Sequence, residues 1–184
     1  MVTWYIFLLA GFGAERVAEL VLSKRNARRA FARGAVESGA GHFRFMVAVH
    51  ALFLPCCAVE VLALHRSVPG ALGPVALALA LAAQALRWWA IASLGDRWNV
   101  RVIAVPGETP VRRGPYRFAR HPNYVAVVIE MLAVPLAHGA WLCAAVFSVL
   151  NAVLLRGRIR IEEQALGDGY QRAFAGVPRF VPHA

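Results

Sequence analysis

Charged residues are scarce in this chain, and the shortage is the first guide to its class. Only 16% of the 184 residues are Asp, Glu, Lys or Arg, whereas 59% are hydrophobic. Soluble domains carry about 25% charged residues, so the composition does not fit a soluble globular fold. Apolar runs near the ~20 residues needed to cross a bilayer recur along the chain. We therefore predict an integral membrane protein.

The apolar runs predict an all-α membrane bundle of about five transmembrane helices. Three runs cover residues 2–22, 45–64 and 72–94, and two more lie between 122 and 156, divided around 137–139. Internal repeats and low-complexity linkers are lacking. We predict one membrane-embedded domain over 1–184, with three N-terminal spans in 1–94 and a loop, a span 4/5 hairpin and a tail in 95–184.

Cysteine is scarce as well, which argues against two kinds of site. Cys56, Cys57 and Cys143 all fall inside predicted spans. Their spacing matches neither a zinc site nor a disulfide framework. We expect them to be packing residues and expect no metal.

Acidic residues are half as frequent as basic ones, and the net charge of +10 is unevenly placed. Seventeen of the 20 Lys and Arg lie in the segments 23–44 and 95–120 and in the tail from 156, whereas the opposite loops carry only Arg66. Lys and Arg mark the cytoplasmic face of a membrane protein. We predict an N-terminus outside and all three basic segments in the cytoplasm. This topology and anionic lipid headgroups explain the charge, so we expect no nucleic-acid partner.

Several ionisable residues lie within the predicted spans. Ionisable groups in a bilayer are costly and usually face the interior of the bundle. The relevant residues are Glu15, Arg16 and Glu19 in span 1, His50 and Glu60 in span 2, and Arg87 in span 3. One interpretation is interhelical ion pairs and interfacial anchoring, with Arg87 snorkelling beside its tryptophans. The other is a substrate contact by Glu19, His50 or Glu60.

Two polar clusters stand at the edges of the last two spans. The first is 114–124, in a segment that Gly and Pro keep non-helical and in which 100–105 alternates like an extended strand. Free backbone groups in such a segment can bind adenine or a carboxylate. Its simpler interpretation is an interfacial aromatic belt with basic anchors.

The second cluster is 158–163, on a helix predicted to continue from span 5 and to end at 167–169. Arg158 and Glu162 are four residues apart and can pair along one face. Glu162 and Glu163 point about 100° apart, so one acid can pair with Arg while the other faces a ribose diol or an ammonium group. A solvated, salt-bridged helix end is the alternative.

The second half of the chain resembles the isoprenylcysteine carboxyl methyltransferase family. The shared pattern centres on Arg120-His121-Pro122-Asn123-Tyr124, a helical hairpin and Glu162-Glu163. The other matching positions are 86–89, 94–98, 114–117, 158–161, 164–166, 170 and 178–182. The resemblance implies a multi-pass methyltransferase of the cell membrane that uses S-adenosylmethionine.

The same resemblance implies where the site lies. The cofactor pocket would face the cytoplasm and be closed by the C-terminal tail, while a lipophilic acceptor enters from the bilayer. Arg158 would orient an acidic oxygen of the acceptor. The cofactor-binding residues implied are Tyr116, Arg120, His121, Pro122, Tyr124, Glu162 and Glu163.

The first half resembles a bacterial branch that O-methylates type III polyketide alkylpyrones or alkylresorcinols. The positions concerned are 15–20, 23–26, 34–37, 42 and 50, with Phe43 where the branch has Tyr. The Phe-Gly-x-x-Tyr pattern of the eukaryotic enzymes is absent, which disfavours a prenylcysteine acceptor. The alternatives are a prenylcysteine carboxyl methyltransferase, a phospholipid N-methyltransferase, an NADPH-dependent sterol-type reductase and a non-enzymatic scaffold.

The acceptor decides whether catalysis needs a base. A carboxylate or acidic enol is already ionised near neutral pH, whereas a phenol has a pKa near ~10 and benefits from a general base. His121, His50 and Glu130 are the candidate bases, and the sequence does not choose among them.

Overall fold

The computed structural model describes residues 2–180, and most of them are helical. Within this range each of the five predicted spans corresponds to one α-helix. The helices are α1 (Thr3–Ala32), α2 (Ala40–Ala63), α3 (Leu72–Leu94), α4 (Pro122–Leu136) and α5 (Trp141–Ala173).

Three helices of the described residues have the length and composition to cross a membrane. They are Ala40–Ala63, Leu72–Arg97 and Trp141–Ala173. α4 is apolar but only 15 residues long, about 23 Å, and α1 carries three ionisable residues in its middle. A multi-helix membrane protein is supported, and the count of five spans stays a prediction.

A short β-ribbon joins the first basic segment (23–44) to the second (95–120). β1 (Val36–Ser38) and β2 (Val102–Ala104) pair antiparallel, with Val36 opposite Ala104. The extended character of 100–105 was predicted, but its partner strand was not. The fold is otherwise all-α over residues 2–180.

The three basic segments gather at one end of the bundle. The β-ribbon connects two of them, and the tail joins through backbone bonds in which the Arg120 N–H donates to Pro178 O (2.9 Å) and the His121 N–H to Arg179 O (3.0 Å). Consecutive basic segments are separated by two helices, and their shared location agrees with an even number of crossings between them. The side of the membrane that this end faces, and the outside location of the N-terminus, stay predictions.

The opposite end is closed by a carboxylate from α2. Glu60 accepts hydrogen bonds from the backbone N–H of Leu142 (3.1 Å) and Cys143 (2.7 Å), and it pairs with Arg66 (3.0 Å). The first N–H groups of a helix have no partner within the helix, so Glu60 caps α5. The predicted substrate contact therefore does not involve this residue.

Helix packing is uneven. α3 and α4 pack closest together, because small buried residues such as Ala76, Ala80 and Ala133 let their backbones approach. α1 lies further from its neighbours and reaches them through long polar side chains.

One helix end differs from prediction, and another agrees with it. α1 continues ten residues beyond the predicted end of span 1, to Ala32. At Gly167 the backbone leaves helical geometry (φ 66°, ψ −166°), but the chain resumes the helix and ends it at Ala173. Gly167 thus separates two helical pieces, so the predicted helix end at 167–169 is confirmed for the first piece, whereas the short second piece that ends at Ala173 was not predicted.

Candidate functional site

A cavity of about 950 Å³ lies at the basic end of the bundle. Both polar clusters contribute to its wall, through Tyr116, His121 and Tyr124 from one and Arg158 and Glu162 from the other. Residues 96–111 form a further part of the wall. Ligand pockets of small-molecule sites span about 300–1,000 Å³, so the volume suits a nucleoside-sized molecule together with part of a second one.

The first cluster depends on a close approach at Gly114. Its φ of +58° is in the left-handed region, and a Cβ built there would lie 1.9 Å from the Ser93 hydroxyl. The following 3₁₀ turn (Gly114–Arg117) buries Tyr116 beside the cavity. Burial and the charge of Glu162 raise the pKa of Tyr116, and Arg87 opposes the shift. The phenol therefore stays neutral and remains a hydrogen-bond donor.

Tyr124 connects the two clusters. Its hydroxyl donates a hydrogen bond to Glu162 and accepts one from Arg158 Nε (3.0 Å). Arg158 and Tyr124 are both buried. The expected Arg158–Glu162 contact is thus mediated by the Tyr124 hydroxyl, and all three side chains line the cavity.

The two neighbouring acids have different surroundings. Glu163 lies 3.1 Å from His121 Nε2 and accepts two hydrogen bonds from Arg179, at 3.1 and 2.7 Å. It is absent from the cavity wall, whereas Glu162 lines it. Glu163 therefore fastens the tail, and Glu162 faces the space where a ligand would bind. Arg120 reinforces the tail by donating from Nε to Val177 O (2.6 Å).

The first half contributes an ion cluster to the same cavity. Arg87 binds Glu19 through Nε and through Nη2 (2.7 Å), and Arg16 binds Glu19 (3.0 Å). Glu130 lies 3.5 Å from Arg16 and 3.9 Å from Arg87. Interhelical ion pairs were one of the two interpretations. Snorkelling of Arg87 was wrong, because its side chain is buried against Glu19.

The predicted site residues separate into two groups. Those that line the cavity are Tyr116, Arg120, His121, Tyr124, Arg158, Glu162 and His50. Those that do not are Pro122, which begins α4, Glu163 and Glu130. Val181 and Pro182 of the matching pattern lie outside the described residues. No group of three or more His, Cys, Asp or Glu side chains suited to a metal comes together within 2–180.

Sequence reasoning missed the residues that position the loop. Asn26 Nδ2 donates to Trp98 O (2.9 Å) and Gly95 O (3.0 Å), and Asn99 exchanges hydrogen bonds with Ser23. These contacts hold the loop against the end of α1. Both 23–26 and 94–98 belong to the family pattern, but nothing in that pattern indicates that the two segments contact each other.

Comparison with known proteins places these residues in a wider context. Residues 76–168 match the isoprenylcysteine carboxyl methyltransferase (ICMT) family. An uncharacterized protein of Bacillus subtilis (strain 168), YpbQ, is 37% identical over 161 residues, covering 88% of this chain and 95% of its own. An uncharacterized protein of Haemophilus influenzae (strain ATCC 51907 / DSM 11121 / KW20 / Rd) is 26% identical over 161 residues, covering 87% and 93%.

Proposed function

Because the chain belongs to the isoprenylcysteine carboxyl methyltransferase family, we propose that it is an S-adenosylmethionine-dependent O-methyltransferase acting on a lipophilic acceptor. The observation that carries this proposal is the shared cavity. It combines neutral aromatic donors, an acid facing inward and an apolar approach between helices.

The residues present fit the methyl donor chemically. Glu162 has the Tyr124 hydroxyl as its hydrogen-bond partner within the described residues, so acceptor capacity remains for a ribose diol or an ammonium group. Tyr116, His121 and Phe174 offer aromatic faces for a purine. The non-helical backbone of 96–111 offers amides and carbonyls for its edge. The bound donor supplies a methyl group on a positively charged sulfur.

The protein's part in the reaction is to align and to exclude water. Proximity and orientation can be worth about 7–11 kcal/mol in favourable cases. Arg158 lies buried at the cavity wall with its orientation fixed by Tyr124, where it would orient an acidic acceptor oxygen. The tail segment (177–180), bonded to Arg120 and His121, would close the pocket from water.

For the acceptor we propose an alkylpyrone or alkylresorcinol. The support is the pattern in the first half, including His50, which faces the cavity. A direct assay incubates purified protein with labelled S-adenosylmethionine and, separately, an alkylpyrone, an alkylresorcinol, a prenylcysteine and phosphatidylethanolamine. We expect label on the first two. Label on the prenylcysteine or the amine alone would contradict the acceptor class, and no donor binding would contradict the methyltransferase.

Glu162→Gln tests the cofactor site independently of the acceptor. Loss of the charge facing the cavity should weaken donor binding about tenfold or more, since hydrogen bonds to charged groups contribute about 1.5–3 kcal/mol. Calorimetry with S-adenosylhomocysteine measures this directly. The matched control is Glu37→Gln, which removes a surface partner of Arg101 (2.7 Å) outside the cavity wall and should bind as the wild type does. Equal affinities in both variants would contradict the assignment of Glu162.

A further inference from the structure

A second, apolar cleft opens between α1 and α2 beside the main cavity. Its volume is about 450 Å³, and Ile6, Leu9 and Leu54 are among its lining residues. Arg16, His50 and Ala51 line both the cleft and the cavity. A molecule with its apolar chain in the cleft would therefore present its polar end beside His50.

The hydrogen bond of His50 defines which ring nitrogen is free. Nδ1 lies 2.8 Å from the backbone oxygen of Met46. A carbonyl only accepts, so Nδ1 carries the hydrogen, and in the neutral ring Nε2 keeps a lone pair. Within residues 2–180 Nε2 has no hydrogen-bond partner. The junction of cleft and cavity thus holds a basic nitrogen that nothing in the fold uses.

A buried cation, Arg87, lies on the wall of the same cavity. Arg87 binds Glu19 through Nε and Nη2, but its Nη1 has no hydrogen-bond partner among the described residues and is fully buried. Leaving a buried polar group without a partner is costly. Glu130 Oε2 lies 3.9 Å from this Nη1, so Arg87 gives the cavity wall a positive charge rather than an open hydrogen-bond donor.

The other two candidate bases are already engaged. His121 Nε2 contacts Glu163 beneath the tail segment, on the side of the proposed donor site. Glu130 lies outside the cavity wall and pairs with Arg16 and Arg87. Three charged side chains lie nearest to His50 on the cavity wall: Arg16 and Glu19 from α1, and Arg87 from α3. Glu130 of α4 lies behind Arg87.

We propose that His50 is the general base that takes the proton from a hydroxyl of the acceptor, and that the positive charges of Arg16 and Arg87 on the cavity wall favour the resulting oxyanion. The proposal rests on the proposed function and narrows its substrate class to lipids with a weakly acidic ring hydroxyl and an alkyl chain held in the α1–α2 cleft. The O–H proton moves to His50 Nε2. The oxygen forms the new bond to the methyl carbon as the carbon–sulfur bond breaks with its electrons leaving on sulfur, and the imidazolium then returns its proton to water.

The first test needs no methyl donor. A nitrophenol with a long alkyl chain is bound to the protein in nanodiscs, and its phenolate absorbance is followed against pH. We expect a lower ionisation midpoint than in protein-free nanodiscs. His50→Asn keeps an N–H for the Met46 carbonyl but lacks the basic nitrogen, and it should raise the midpoint by about one pH unit, a tenfold change. His50→Gln should behave alike. A bound probe that ionises equally in wild type and both variants would overturn the proposal.

The control is a histidine on the same helix. His42 Nε2 contacts Leu154 O (2.9 Å) and lies outside the cavity wall. His42→Gln places an amide where it can keep this bond, and its probe midpoint should equal the wild-type value. A midpoint raised as much as in His50→Asn would show a general effect of α2 and would overturn the role of His50.

Turnover provides the second readout. With an alkylphenol acceptor, the turnover rate of His50→Asn should be about 100-fold or more below that of the wild type. Added imidazole should partly restore the turnover of His50→Ala. With a carboxylate acceptor, which is already ionised, the turnover rate of His50→Asn should fall little. Equal losses of turnover with both acceptors would overturn the proposal. Calorimetry with S-adenosylhomocysteine distinguishes a failure of the proposed function from a failure of the role of His50. A wild-type protein that does not bind it defeats the proposed function, whereas equal binding with unchanged probe ionisation defeats only the base.

Discussion

Gly114 is the residue whose replacement should distort the site most directly. It combines a φ of +58° with a Cβ position 1.9 Å from Ser93 Oγ and 2.9 Å from Ser93 Cβ. Gly114→Ala should therefore cost about 1–2 kcal/mol for the left-handed backbone and about 1–3 kcal/mol more for overpacking. Thermal unfolding in a mild detergent measures the loss.

Gly107 separates the two contributions. Its φ of +78° is also left-handed, but a Cβ there meets nothing within 4 Å. Gly107→Ala should show only the backbone cost. If both substitutions lower the melting temperature equally, the close approach of Gly114 to Ser93 does not contribute to stability.

Residue roles were predictable only as far as local geometry decides them. The 100° between Glu162 and Glu163 follows from the helix itself and predicted different surroundings for the two acids. Which acid faces inward depends on Arg179, sixteen residues later and on a non-helical segment. For the same reason the sequence could not separate His50 from Glu130, since the partners of Glu130 come from α1 and α3.

Among the structural elements, the tail segment offers a test of closure. Glu163 and Arg179 form a two-bond ion pair, and burial of the pair is incomplete because the Arg179 side chain is 57% exposed. Arg179→Ala should speed hydrogen exchange at the amides of Arg120 and His121, which donate to the tail. High salt should have a similar, smaller effect in the wild type.

Arg160→Ala is the matched control for the tail. Arg160 is exposed on α5, and its removal leaves the Glu163–Arg179 pair intact. Exchange at Arg120 and His121 should match the wild type. Faster exchange in Arg160→Ala, or unchanged exchange in Arg179→Ala, would contradict the fastening role of the ion pair.

The face of α1 that lines the cleft gives an element-scale prediction. Gly13 lines the cleft, and a Cβ built there would lie 3.9 Å from Leu54 Cδ1. Gly11 is exposed, with nothing within 4 Å of its Cβ position. Gly13→Leu should fill the cleft and reduce kcat/KM for long-chain acceptors much more than for short-chain ones. Gly11→Leu adds the same side chain to the same helix and should leave the chain-length preference unchanged. Equal preferences in both variants would place the alkyl chain elsewhere.

Elements were predictable where hydrophobicity alone decides them. The boundaries of α3 and the gap between α4 and α5 follow from apolar length and from the Ala-His-Gly break at 137–139. The β1 strand was not predictable, because three residues carry no periodic signal and pair only with a strand 66 residues away. The extension of α1 to Ala32 is polar and is held by Asn26 against the loop.

At the scale of the whole molecule, accessibility tests the orientation. Arg29, Arg112 and Arg172 are exposed at the basic end, and Ser67 is exposed in the opposite loop. Single Cys substitutions at the first three positions should react with an impermeable maleimide only from the cytoplasmic side, and Ser67→Cys only from the outside. The native cysteines are buried or half-buried and provide the background. Labelling of Arg29→Cys and Ser67→Cys from the same side would contradict the topology.

The location of the three basic segments at one end of the bundle was predictable from charge placement, but the cavity between them was not. The clustering of basic residues in alternate loops indicated that three segments share one end, and the β-ribbon and tail contacts lie there. The cavity formed between them depends on side-chain packing from all parts of the chain. The ligand proposed for this cavity was inferred only from the resemblance to a family.

The cap that Glu60 provides for α5 has a consequence for biosynthesis. The chain emerges from its N-terminus, so Glu60 enters the membrane more than 80 residues before the amides of Leu142 and Cys143 exist. An uncompensated carboxylate there would be costly, but Arg66 is only six residues behind and pairs with it. The α2–α3 hairpin thus carries its own counter-ion during insertion and offers a ready acceptor when the last helix arrives. The order of synthesis therefore supplies Glu60 first with its counter-ion, Arg66, and later with its capping partners, Leu142 and Cys143.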